Sequence, residues 1–197
     1  MEQPSIILWD LMDTLVSDPF FRHMPEFFGL SLQELLQQKH PTAWLEFERG
    51  EIDEAQLAAK FFADGRAFDL AAFKEHIATG YEWLEGMHEL VRELHARGVP
   101  MHLLSNYPAW YTLCTERLGL ARYVAPSFIS CKTGVRKPDA EAYLGPCRAL
   151  AVPPGACFFV DDREKNCAAA RAVGMPAFHF QKDVTALRRE LQIQRLL

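Results

Sequence analysis

Residues 6–16 read IILWDLMDTLV, and this stretch decides the fold. Four consecutive large apolar residues, Ile6, Ile7, Leu8 and Trp9, imply a strand buried on both faces. The run ends in Asp10, followed by Asp13 and Thr14. In open α/β sheets, ligands bind beyond the carboxyl ends of the parallel strands. Asp10 is therefore expected at a ligand site if the rest of the chain builds such a sheet. A strand that simply stops at a polar turn is the plainer alternative, and the later stretches decide between them.

From residue 85 onward the pattern is regular. Helices are predicted over 86–97, 109–118, 140–150, 164–173 and 183–192. Strands are predicted over Met101 to Leu104, Phe128 to Ser130, Cys157 to Val160 and Ala177 to Phe180. Gly98, Gly119 and Gly174 follow the helical patterns they close, and Asp139 is placed to cap the helix after it. Strands alternating with helices imply a parallel sheet covered on both faces.

Residues 17–84 have another character. Asp18-Pro19 opens a turn. Ser31 caps a helix over 32–38, with Glu34 at the capping-box position. Pro41 can begin a helix through 48. Asp53 can cap 54–63, and Asp69 can cap 70–79. No strand pattern interrupts these, so the segment reads as an all-helical insert in a core made of 1–16 and 85–197. Its aromatics, among them Phe20, Phe27, Phe28, Trp44, Phe61 and Phe73, are expected to form its own small core, with a minority facing a ligand.

Composition narrows the function classes. The chain has 197 residues, enough for one domain or a domain with one inserted subdomain, and its hydrophobic fraction of 49% supports a sizeable core. A net charge of −5 argues against nucleic acid or an anionic membrane surface as the main partner. No apolar run approaches the roughly 18 residues of a membrane span, and no signal-peptide pattern is read. The five cysteines are odd in number and scattered without a C-x-x-C, which suggests free thiols in a reducing compartment. The seven histidines show no metal-ligand spacing.

Four polar groups are predicted at or just after strand ends: Asp10, Ser105, Lys137 and the pair Asp161-Asp162. Together they supply a nucleophile, a hydroxyl, a cation and an acid cluster. That set suits phosphoryl transfer, where catalysis is mostly positioning and charge neutralisation. Mg²⁺ takes hard oxygen ligands, and Asp10, Asp162 and the main-chain carbonyl of Met12 would satisfy it, with Asp161 as a further ligand through water or as support. Asn106 is placed to add an amide to a phosphate. Arg136 is read as solvated or paired with an acid, and Asn166 as orienting the acid pair or starting a helix. Asp18 is read as an N-cap that could also point toward the site.

These stretches resemble the four motifs of the haloacid dehalogenase superfamily. Asp10 matches its nucleophilic aspartate and Thr14 the threonine that closes the first motif, which the resemblance places with Ser105 and Asn106 among the phosphate-binding residues. Ser105 matches the hydroxyl that binds a phosphoryl oxygen, and Lys137, in Arg136-Lys137-Pro138, the lysine that steadies nucleophile and phosphate. Asp161 and Asp162 match the acidic fourth motif. The resemblance covers essentially the whole chain and implies a Rossmannoid α/β core, a helical cap over 17–84, Mg²⁺ and a small phosphorylated substrate. Acidic metal ligands disfavour dehalogenation, which needs no metal. The phrases DLMDTLVSDPFF, EFERGEID, SNYPAWY and GVRKPDAEAY further resemble a plant-type branch, the flavin mononucleotide (FMN) hydrolases of plastids. That branch implies FMN as substrate, a plastid or cytoplasmic setting, and stacking of the flavin on an aromatic such as Tyr107, Trp110 or Tyr111.

One position departs from the pattern. The usual first motif is Asp-x-Asp, and its second aspartate is the general acid/base. Here that position is Met12, which cannot transfer a proton, and general acid assistance typically contributes about 10²–10⁴-fold. Three readings follow. Asp13 or a bridging water takes over; metal and lysine suffice for a slow enzyme; or the chain binds a phosphorylated ligand without turnover. Asp13 as a turn residue bonded to its own backbone is the plainer account of that residue. Retained phosphatase activity on FMN is the favoured function. The alternatives are a sugar phosphate or other small phosphomonoester as substrate, and a phospho-ligand binding protein.

Overall fold

The computed structural model describes residues 3–197, so Met1 and Glu2 of the expected core lie outside the described residues. Strands β1 (Ile6–Trp9), β2 (Met101–Ser105), β3 (Ala125–Ile129), β4 (Cys157–Asp161) and β5 (Ala177–His179) form one sheet in the order β3-β2-β1-β4-β5. Every pairing is parallel. β1 is central, with Ile7 opposite Met101 on one side and Phe158 on the other.

Alternation along β1 explains why all four residues are apolar. Ile7 and Trp9 face one apolar cluster, with Leu103, Phe158 and Val160. Leu8 faces a second cluster, with Leu104 and Phe159. Helices cover both faces. Met87, Leu90, Val91 and Leu94 of α6 (Met87–Ala96) and Leu187 and Leu191 of α11 (Val184–Ile193) join the first cluster. Ala142, Tyr143 and Cys147 of α9 (Glu141–Ala149) and Ala170 of α10 (Glu164–Ala172) join the second. Each such fully buried aliphatic side chain is worth about 1.5–3 kcal/mol. The sheet therefore fixes the positions of the residues at its carboxyl edge.

Between β1 and α6 lie a short 3₁₀ turn and the helices α1 (His23–Phe28), α2 (Leu32–Gln38), α3 (Ala43–Glu48), α4 (Glu54–Lys60) and α5 (Leu70–Thr79). Ser31 and Glu34 form the expected capping box, and Asp53 forms a second one with Gln56. Asp69 and Asp183 cap α5 and α11. Asp139 does not cap α9; Ala140 holds that position with no side-chain bond.

The aromatics of this helical segment do not form a separate core. They are continuous with the first cluster, because Trp110, between β2 and α7 (Tyr111–Arg117), packs against Phe47 and Phe73 with ring centroids 5.3 and 5.6 Å away. Polar ties reinforce the junction. Ser130, at the start of α8 (Ser130–Thr133), donates to the Glu48 carbonyl at 2.5 Å and accepts from Tyr107 N–H at 3.0 Å. Gly50 has φ +70° and lies against the Cys131 carbonyl, leaving no room for a Cβ. All five cysteines are free thiols, and among the described residues no helix is long and apolar enough to cross a membrane.

Candidate active site

The carboxyl edge of the sheet brings four of the expected groups together. Asp10 follows β1, Ser105 ends β2, Asp161 ends β4, and Lys137 sits in the loop before α9. Lys137 Nζ donates to Asp10 Oδ1 at 2.7 Å and to Asp161 Oδ2 at 2.6 Å. Ser105 Oγ donates to Asp10 Oδ1 at 3.0 Å. Asp10, Ser105, Lys137 and Asp161 are all buried.

The loop carrying Lys137 is held by Asn106. Its side-chain amide donates to the Lys137 carbonyl at 2.9 Å, and its side-chain oxygen accepts from the Lys137 N–H at 2.8 Å. Asn106 thus fixes the lysine loop through its side-chain oxygen and one N–H of its side-chain amide, and it also lines the cavity. Asp161 is fixed in the same way. Its oxygens take Asn166 Nδ2 at 3.0 Å and the Arg163 N–H at 2.8 Å, besides Lys137.

Ligand-capable oxygens of Asp10, Asp161 and Asp162 lie within 4.8 Å of one another. Charge is unbalanced there, because three carboxylates face one ammonium. Burial raises the Asp10 carboxyl well above the usual range; Lys137 opposes that and Asp161 adds to it. Burial and the Asp161 charge likewise raise Asp162. Burial disfavours the charge on Lys137, but Asp10 and Asp161 outweigh it and hold its pKa above the ordinary lysine value. The donors are hard oxygens with excess negative charge, and Asn166 Oδ1 is buried with no hydrogen-bond donor among the described residues. This set fits a small divalent cation such as Mg²⁺.

The other expected residues fall elsewhere. Thr14 is fully buried and does not face the cavity, and its Oγ1 has no hydrogen-bond partner among the described residues. Asp13 adopts a left-handed conformation with φ 56°, and its Oδ1 lies 3.0 Å from the exposed Lys182 Nζ. It stands on the cavity rim, held by a surface cation. Met12 reaches the cavity wall. Trp110 and Tyr111 are buried away from the cavity; Tyr107 touches it, with its hydroxyl 2.9 Å from that of Tyr81.

The cavity measures about 380 Å³ and opens over Asp10, Ser105, Lys137 and Asp162. The helical segment supplies its opposite wall. Phe20, Phe21, Leu36, Pro41, Trp44 and Leu45 form an apolar surface. Phe21, Leu36 and Leu45 are 49%, 49% and 38% exposed, so this wall leaves large apolar side chains open to a ligand. Sequence reasoning did not find Glu48 as a wall residue. It accepts from Trp44 Nε1 at 2.7 Å and pairs with Arg136 at 2.6 Å, and burial raises its pKa despite that arginine. Asp18 also lines the cavity. It caps the 3₁₀ turn by accepting from Phe20 N–H at 2.9 Å, and burial pushes its carboxyl up to about 6 against that bond.

The sequence model for the haloacid dehalogenase-like hydrolases matches residues 5–174. This chain belongs to the haloacid dehalogenase-like hydrolase family. The family's α/β fold is seen again in a solved relative, a haloacid dehalogenase family enzyme of Bacteroides thetaiotaomicron in complex with magnesium and inorganic phosphate. That structure superposes with a TM-score of 0.75 at 19% identity, covering 93% of this chain and 98% of the other. Two curated relatives are closer in sequence. The chloroplast flavin mononucleotide hydrolase 1 of Arabidopsis thaliana is 43% identical over 197 residues, covering 97% of this chain and 80% of that protein. A sesquiterpene phosphatase of Aspergillus oryzae is 31% identical over 157 residues, covering 76% and 78% respectively.

Proposed function

We propose that this chain hydrolyses the phosphomonoester of FMN, releasing riboflavin and phosphate, through an aspartyl-phosphate formed on Asp10. One observation carries the chemistry: a buried carboxylate held by Ser105 and Lys137 at the floor of a cavity whose opposite wall sets Phe20, Phe21, Leu36, Trp44 and Leu45 beside Asp18, Lys39 and Glu48. The 43% identity to a flavin mononucleotide hydrolase supports the substrate and a plastid setting.

Each residue has a definite task in this reading. Asp10 attacks phosphorus with the carboxylate edge that faces the cavity. Ser105 and Lys137 hold phosphoryl oxygens, and an amide N–H of Asn106, main-chain or side-chain, joins them. Asp10 and Asp162 would hold Mg²⁺ with the Met12 carbonyl. Asp161, saturated by Lys137, Asn166 and the Arg163 N–H, supports them from behind. When bound, Mg²⁺ neutralises charge shared by phosphate and carboxylates. Residues 17–84 act as a cap on the core formed by the remaining chain. Their apolar wall takes the flavin ring and keeps bulk water from the phosphoryl group.

A substrate comparison tests the assignment. With Mg²⁺ present, kcat/KM for FMN should exceed that for a hexose monophosphate by at least about tenfold, or 1.4 kcal/mol. Equal values would return the site to a small phosphomonoester of another kind. A preference for an isoprenoid monophosphate over FMN would place an acyclic apolar alcohol, rather than a flavin, on the cap wall. Tight FMN binding without phosphate release would identify a binding protein.

A further inference from the structure

The position of the family's proton donor is filled by a thioether, Met12, so any proton for the leaving oxygen has to come from another group. Most carboxyls around the cavity are already engaged. Asp10 and Asp161 share Lys137. Glu48 is held by Trp44 and Arg136. Asp13 is tied to Lys182 at the rim. Asp162 belongs to the acid cluster.

Asp18 differs from all of these. It forms no ion pair among the described residues. Its Oδ1 accepts the Phe20 N–H at 2.9 Å, and its Oδ2 makes no hydrogen bond among the described residues. The backbone around it is anchored. Ser17 N–H donates to the Glu82 carbonyl at 2.9 Å, Ser17 Oγ donates to the Gly80 carbonyl at 2.6 Å, and Val16 bridges to Trp83. The carboxyl is thereby held on the cavity wall rather than on a loose loop.

We propose that Asp18 is the general acid/base of this site, donating to the leaving oxygen from Oδ2. The assignment rests on the reading that Asp10 attacks phosphorus. In the first step an Asp10 oxygen bonds to phosphorus and the ester P–O bond breaks. Its electron pair stays on the ester oxygen, which takes the proton from Asp18 and leaves as the alcohol. In the second step a water oxygen bonds to phosphorus and the P–O bond to Asp10 breaks. The water's proton passes to Asp18, restoring the acid, and phosphate departs. The surroundings suit this cycle. Burial, with the charges of Asp13 and Glu48, favours the protonated acid, whereas the Phe20 N–H and Arg163 favour the carboxylate. The phenols of Tyr81 and Tyr107, kept neutral by burial, also face it.

The test compares two leaving groups in single turnover with enzyme in excess, so that only the first step is read. The alkoxide of riboflavin needs a proton to depart, whereas p-nitrophenolate does not. Asp18→Asn keeps an oxygen to accept the Phe20 N–H but has no acidic proton. Riboflavin release from FMN should fall about 100-fold, and p-nitrophenolate release less than about tenfold. In the unmodified protein, the ratio of the two rates should fall as pH rises through about 6 and beyond, because Asp18 must be protonated. This second readout needs no variant and stands if Asp18→Asn does not fold. Equal losses on both esters, no loss on either, or a ratio that is flat with pH would overturn the role of Asp18 alone. No release of either alcohol by the unmodified protein, or full release by Asp10→Asn, would overturn the underlying reading as well.

Discussion

Replacing Lys137 by methionine removes an ammonium that lies 2.7 Å from Asp10 and 2.6 Å from Asp161 on a side chain only 2% exposed. Methionine keeps most of the stem, while the approach of the ammonium to the Phe159 ring, 5.1 Å to the centroid, is lost with the charge. The loss is one of charge, because two buried carboxylates lose their shared counter-charge while Asp162 stands beside them. Deleting one partner of a buried pair costs about 3–5 kcal/mol. That is a large share of the roughly 5–15 kcal/mol that holds a domain folded. The sign of the pH dependence follows from the protons the cluster then takes up. In the variant the folded-state pKa of Asp10, already raised by burial, loses the opposing Lys137 charge and rises further above the unfolded value of about 3.9. The folded state binds more protons than the unfolded one, so stability is present at low pH and lost as pH rises through the raised value. Urea unfolding without added metal, at about pH 5 and about pH 8, should show a deficit against the unmodified protein that is larger at the higher pH. A deficit under about 1 kcal/mol, or one equal at both pH values, would refute the claim that Lys137 balances buried charge.

Two further substitutions probe the junction and the wall. Gly50→Ala places a Cβ against the Cys131 carbonyl at a residue with φ +70°, and should cost about 1–3 kcal/mol in urea unfolding; an unchanged midpoint would mean that the contact between α3 and α8 yields freely. Leu36→Asp puts a charge on the exposed apolar wall and should raise KM for FMN about tenfold with kcat little changed, read from initial rates. A fall in kcat at constant KM would place the flavin elsewhere.

The sheet was readable because its central strands are buried on both faces. β1 and β4 leave continuous apolar runs, and each stops at the acid that matters. β3 was read too late and too short, since Pro126 and Ser127 break the apolar pattern. As an edge strand, β3 can accommodate a proline that a central strand would exclude. The helices of the segment after β1 were readable from Ser31, Asp53 and Asp69, whose caps are local chemistry. Its packing was not. Nothing local shows that Phe47 and Phe73 meet Trp110, 63 and 37 residues further along the chain, and so share the core of the sheet.

The site divides in the same way. Asp10, Ser105, Lys137 and the acid pair announce themselves by standing at strand ends, and the parallel sheet brings them together. Asn106 and Asn166 look like turn and helix-start residues in sequence. Their work, holding the Lys137 loop and Asp161, depends on which backbone groups lie opposite them. The wall of Phe21, Leu36 and Leu45 could not be read either, because the pattern of a short helix does not say which exposed apolar residue overhangs a neighbour's active edge. Asp18 combines both cases. Its cap is visible from Asp18-Pro19, whereas its place in the cavity depends on how the chain turns after Val16.

The measurement closest to the central claim is phosphate release from FMN by the purified protein and by Asp10→Asn, each with Mg²⁺ and with the divalent ion removed by a chelator. Metal-dependent release is expected from the unmodified protein, with a loss of at least about 10³-fold in the variant. Release that survives both the chelator and Asp10→Asn would contradict that claim.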